Sequence, residues 1–212
     1  MPRSQTRRAQ AERANTCDAL LAVEPTATTL CEGWTAHDLA AHLWIRENEL
    51  VNSVGSMIPP LAGRTAARMA ELKQQLTYPE LVGLIRQGPP RRSLFALSAV
   101  DEAANGAEYL IHGMDVRRPS GLPEPERDEA FHDWAWSQLK RMVPLMLRRS
   151  PVALVFERAG RPDSVIRAAS GNRIVTVIGR PDELLLYASG RRTAADVRLI
   201  GVESAVAAAL GR

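Results

Sequence analysis

Residues 35–43 read TAHDLAAHL, a segment that begins like a helix and keeps a helical period. Thr-Ala-His-Asp has the form of a capping box, with Asp38 in place of the usual Glu, so a helix is expected to start at Ala36. Leu39 and Leu43 lie one turn apart and mark an inward face that includes His42, with Asp38 and Arg46 one turn away on either side of that histidine. The helix is expected to run to about residue 51, and Pro59-Pro60 to close the loop that follows. Trp34, just before the cap, is expected to staple the start of the helix.

The flanking segments continue in the same manner. Residues 7–22 are strong helix formers with Ala11, Ala14, Leu20 and Leu21 near a 3.6 period, stopped at Glu24-Pro25. Helices are also expected over residues 64–76, 78–87 and 98–116, with Gly88-Pro89-Pro90 as a break. A longer one covers residues 126–148, bent or shortened by Pro144. At Ser150-Pro151 the pattern changes. VALVFE and RIVTVI are short β-branched runs bounded by Gly and Pro, and SVIR and ADVRLIG read as further strands, with a turn at Arg161-Pro162. PDELLLYAS and ESAVAAALG read as helices. The expected fold class is α+β: an antiparallel helical bundle over residues 1–149, then a small α+β unit over residues 150–212 that is marginal alone.

Bulk properties narrow the function classes. The chain has 212 residues and is 45% hydrophobic, enough for a sizeable core. No run reaches the roughly 18–20 apolar residues of a membrane span, and the first residues, MPRSQTRRAQAERA, lack a signal-peptide core, so a cytoplasmic protein with no membrane partner is expected. The net charge is +3 and the pI about 9.2, but the basic residues are dispersed among acids and aromatics make up only 5%. That is too sparse for a base-stacking surface, and no nucleic-acid partner is expected. Cys17 and Cys31 have no CxxC spacing and read as thiols rather than a disulfide; for Cys31 a buried inert role is the simpler reading.

Chemistry concentrates in AEYLIHGMD, residues 107–115. Glu108 and His112, four apart, lie on one helical face about a turn from each other, which is the geometry of a two-ligand clamp. Asp115 extends that face and is positioned to orient a ligand. If this helix neighbours the one bearing His42, the three residues make a His2Glu set with an open position, suited to ligand binding or catalysis rather than to a closed structural site. Zinc is the first expectation, although nickel, iron and manganese also accept imidazole and carboxylate. His37 lies roughly 140° round the helix from His42 and points elsewhere; His132, among Trp134 and Trp136, reads as a packing residue.

At these residues the chain resembles the mycothiol-dependent maleylpyruvate isomerase family, a branch of the DinB-like metal-binding four-helix bundles. The segments that carry the resemblance are LCEGWTAHDLAAHL and AEYLIHGMDVRR, and the stretch RQGPP before DEAANGAEYLIHGMDVRRP is similar to an uncharacterised metal-binding subgroup. The resemblance implies His42, Glu108 and His112 as metal ligands. It also extends to VTVIGRPDELLLYASGRR, similar to the sterol-carrier-like C-terminal unit of those proteins. Where members commonly carry a second His or acidic residue after the metal histidine, this chain has Gly113 and Met114.

Two function classes follow. In one, the metal activates mycothiol as a thiol cosubstrate for transfer to, or isomerisation of, an electrophilic small molecule, with Asp115 orienting a ligand or relaying a proton and Arg46 or Arg191 pairing a substrate carboxylate. In the other, the chain is a non-catalytic metal- and small-molecule-binding module. Metal-dependent consumption of mycothiol separates them.

Overall fold

The computed structural model describes residues 7–49, 62–90, 93, 96–148, 150–168 and 172–211. It is an α+β protein whose residues fall into two compact units, 1–125 and 126–212. Among the described residues there are eight helices and one four-stranded sheet. No helix among them is long and apolar enough to cross a membrane.

Among the described residues of the first unit are five helices: α1 (Arg8–Leu21), α2 (Ala36–Asn48), α3 (Ala62–Gln75), α4 (Tyr78–Gln87) and α5 (Ser98–Arg117). The expected capping box starts α2. Thr35 accepts from the Asp38 amide while Asp38 accepts from the Thr35 amide at 2.9 Å, satisfying two of the donors a helix start leaves over. A second box, Thr77 with Glu80, starts α4. All five helices feed one apolar core that includes Cys17 and Leu20 from α1, Leu39 and Leu43 from α2, Leu72 from α3, Leu81 and Ile85 from α4, and Tyr109 and Val116 from α5. The close approach of α1 to α5 depends on Gly113, where a Cβ would stand 2.9 Å from Thr16 Oγ1. The Pro59-Pro60 loop and the end expected for α2 near residue 51 lie outside the described residues.

The second unit begins with α6 (Glu129–Met146), followed by β1 (Ala153–Arg158), β2 (Arg161–Ala168), β3 (Ile174–Gly179), α7 (Pro181–Ala188), β4 (Val197–Ile200) and α8 (Glu203–Leu210). The strand order is β2-β1-β3-β4, with β1 and β3 parallel and the outer pairs antiparallel. Leu154, Phe156, Val175 and Val177 alternate onto the buried face, as a one-sided sheet requires. The turn of the β1–β2 hairpin is at Gly160, whose φ is +76°, and Arg161-Pro162 opens β2 instead of forming the turn. Proline is tolerated there because β2 is an edge strand. The change from helical to strand pattern falls near residue 150 as read from sequence, but the packing division comes earlier because α6 belongs with the sheet. Arg158, 4% exposed on β1, is held by Asp133 at 2.6 Å and by Glu129 at 2.5 Å, both from α6.

Candidate metal centre

The unbroken course of α5 places Glu108, His112 and Asp115 along one face, and α2 brings His42 and Arg46 to meet it. A short loop before α2 adds Cys31 and Trp34. That loop is pinned at its base. Leu30 N–H donates to the Asp115 carbonyl at 3.0 Å, using one of the carbonyls the last turn of α5 leaves unpaired. Thr29 Oγ1 bonds the Cys31 amide at 3.2 Å and the Trp34 carbonyl at 3.0 Å, and Gly33 takes the positive φ the turn requires.

The three expected ligands converge. His112 Nε2 lies 3.1 Å and His42 Nε2 3.7 Å from the same atom, Glu108 Oε1, and the three donor atoms are all within 4.8 Å of one another. Bonds of about 2.0–2.1 Å at tetrahedral angles would hold such donors about 3.3 Å apart, a spacing that both histidine nitrogens already approach relative to Glu108 Oε1. The imidazoles meet edge to face, 5.4 Å between centroids, and Trp34 packs on His42 at 5.0 Å. The histidine side chains are 7% and 8% exposed but Glu108 is 27% exposed, so the cluster opens to solvent on its carboxylate side.

The charges are set by burial against these contacts. Burial pushes His42 below the ordinary histidine range, partly opposed by its hydrogen bond to Glu108. For His112 burial acts the same way but is outweighed by Asp115, Cys31 and Glu108, and the ring is held well above that range. Burial favours a neutral Glu108, yet His112, His42 and Arg46 hold it well below the usual carboxylate range. Asp115, fully buried, accepts from His112 Nδ1 at 2.8 Å and from Cys31 Sγ at 3.2 Å. With Asp115 at Nδ1 and Glu108 at Nε2, each ring nitrogen of His112 faces a carboxylate.

Sequence reading and structure differ in the surroundings. Arg46 sits beside His42 as expected, but its guanidinium is engaged with the Asn105 side chain, with the Ala104 carbonyl at 2.7 Å and with Glu108 Oε1 at 3.4 Å. Asn105 in turn donates to Glu47 at 2.8 Å and Asp101 at 2.7 Å, both of which also bind Arg13. Arg191 belongs to the second unit, where its Nη1 donates to the Ser189 carbonyl at 2.9 Å. His37 packs on Tyr78 at 5.3 Å, away from the centre, and His132 faces Asp182 within the second unit at 3.6 Å. Cys31, read as a buried inert thiol, is instead half-buried against Asp115, and neither cysteine is in a disulfide. Trp34 packs against the core and also against His42, a contact the staple reading did not contain. Periodicity does not extend through a loop, so nothing in the sequence aimed either residue at the histidines.

No protein-family model and no curated protein matches the chain. Among solved structures, the mycothiol-dependent maleylpyruvate isomerase superposes with a TM-score of 0.60 at 17% identity, over 91% of this chain and 90% of that one. A histidine-to-alanine variant of the same enzyme superposes with a TM-score of 0.55 at 15% identity and the same coverage. At this identity the likeness is one of fold, and it spans residues of both units.

Proposed function

We propose that the first unit holds one divalent cation, zinc in the first instance, on His42, Glu108 and His112, and that it activates a small thiol of the mycothiol type for transfer to, or isomerisation of, an electrophilic substrate. The observation that carries this reading is that His42 Nε2 and His112 Nε2, from two helices, lie 3.7 and 3.1 Å from the one oxygen Glu108 Oε1. A cation with three protein ligands keeps a position open, where it lowers the pKa of a bound thiol and favours the nucleophilic thiolate.

The chain's own groups prepare that position. Asp115 holds the Nδ1 proton of His112 and keeps the ring turned toward Glu108. Arg46, anchored to Asn105 and the Ala104 carbonyl, reaches Glu108 Oε1. Trp34 screens one side of His42 from water, so approach is from the Glu108 side. The fold shared with an enzyme described as mycothiol-dependent supports a thiol as the cosubstrate. The same reading takes residues 1–149 as a DinB-like four-helix bundle and residues 150–212 as sterol-carrier-like.

The test is metal content per chain, measured without a polyhistidine tag, for the native protein and Glu108→Ala, followed by mycothiol consumption with varied electrophiles. Near one equivalent in the native chain, lost in the variant, with metal-dependent thiol consumption is expected. Absence of metal in the native chain after incubation with zinc and nickel would sink the proposal, and bound metal without turnover would replace catalysis by small-molecule binding at this centre.

A further inference from the structure

We infer that Cys31, His112 and Asp115 form a second, thiol-containing seat for a soft divalent cation, sharing His112 with the centre above and occupied in alternation with it. The alternation rests on the proposed centre; the seat rests on its own geometry. His112 presents each ring nitrogen to a different donor set. Nε2 faces Glu108 and His42, while Nδ1 is 2.8 Å from Asp115 Oδ2 and 4.0 Å from Cys31 Sγ, and that sulfur is 3.2 Å from the same Oδ2. Ligand bonds of about 2.0–2.3 Å at tetrahedral angles would separate such donors by about 3.3–3.6 Å, so Nδ1 and Oδ2 would part and Sγ would draw toward Nδ1, each by about half an ångström, for an ion to sit among the three.

The chemistry of this set differs from that of the first. A thiolate and a carboxylate balance a dication in a pocket where His112 is 6% and Asp115 0% exposed, and thiolate donors favour soft ions. Cys31 comes from the pinned loop and is the half-buried member of the three. A neutral imidazole has one lone pair, so it serves one seat at a time. An ion on the first centre leaves the ring proton on Nδ1, donated to Asp115. An ion on the thiol seat displaces the Cys31 proton to solvent and leaves the ring proton on Nε2, where Glu108 at 3.1 Å accepts it. Each seat becomes the hydrogen-bonding support of the other. A Cys31 that only donates its S–H to Asp115 would form no metal–sulfur bond.

Cadmium ion, titrated into the native chain and into Glu108→Gln, His42→Ala and Cys31→Ser, decides the matter through the ultraviolet thiolate-to-cadmium charge-transfer band and the binding stoichiometry. The expected result is one equivalent bound with the band present in Glu108→Gln and His42→Ala, and loss of the band in Cys31→Ser, which retains Cys17. Two inner variants are used so that misfolding of one leaves the other as the test. Absence of the band from both, or its persistence in Cys31→Ser, overturns the thiol seat and leaves the first centre standing. Two equivalents bound together with the band overturn the alternation. A full band in the native chain, with zinc binding unaffected by either inner variant, sinks the first centre and keeps this one.

Discussion

Arg13→Met would remove the cation at the root of the polar ladder that runs beneath the metal centre. Arg13 Nη2 donates to Glu47 Oε1 at 2.6 Å and to Asp101 Oδ1 at 2.9 Å, with Arg13 and Glu47 only 5% and 2% exposed. Methionine keeps the apolar stem, so the loss is mainly that of the charge. Breaking a buried pair by deleting one partner costs about 3–5 kcal/mol, because the remaining charge has neither water nor counterion. Burial already pushes the Glu47 carboxyl above its ordinary range, with Arg13 holding it back, so in the variant Glu47 escapes part of the penalty by taking up a proton. The sign follows from linkage. A folded-state pKa raised above the unfolded value of about 4.3 gives stability that is complete below that value and is lost as pH rises through the folded value, by at most about 1.4 kcal/mol per pH unit. Urea unfolding should therefore show a deficit against the native chain that is smaller near about pH 5 and reaches about 3–5 kcal/mol near about pH 8. Adding Glu47→Gln should flatten the dependence and recover part of the stability. A deficit below about 1 kcal/mol at the higher pH, or one that grows on acidification, would refute the argument that Arg13 neutralises buried carboxylates.

Three further outcomes are expected. Asp115→Asn should weaken zinc binding about 10- to 100-fold in a competition titration, since it removes the carboxylate that holds His112 Nδ1; unchanged affinity would show that the ring needs no such support. Gly113→Ala should destabilise by about 1–3 kcal/mol as its Cβ meets Thr16 Oγ1, and Thr16→Ala in the same chain should give a total loss smaller than the sum of the two, read by denaturant unfolding. Asp38 is held below its ordinary range because, although burial opposes its charge, bonds from Lys73 and Thr35 outweigh that effect. Its contribution should be complete above about pH 3.9 and be lost on further acidification through the lower folded value, with a shallower acid limb in Lys73→Met as the check.

What could be read from the chain was what repeats within a few residues. The Thr35–Asp38 cap, the pairing of Glu108 with His112 four residues on, and the β-branched runs that became β1 and β3 are local signals, because backbone hydrogen bonding imposes a period on the side chains that follow. The inward choice of His42 over His37 came from the same period, since only one of two residues five apart can share the Leu39–Leu43 face. Packing decided the rest. That His42 Nε2 and His112 Nε2 face one oxygen depends on the rotation and register of α2 against α5, which the whole apolar core sets. Arg46 reaches inward to Glu108, the Ala104 carbonyl and Asn105 because fully buried Asn105 stands on the neighbouring helix; its position near His42 said nothing about which partners it would take. Cys31 meets Asp115 because the Leu30 amide finds an unpaired carbonyl at the end of α5, and α6 joins the second unit because it buries Phe131, Ala135, Leu139 and Val143 there, while Glu129 and Asp133 bond Arg158 from its more exposed side. These are contacts between residues far apart in the chain, made by burial and by polar groups seeking partners once water is excluded, and no local period encodes them.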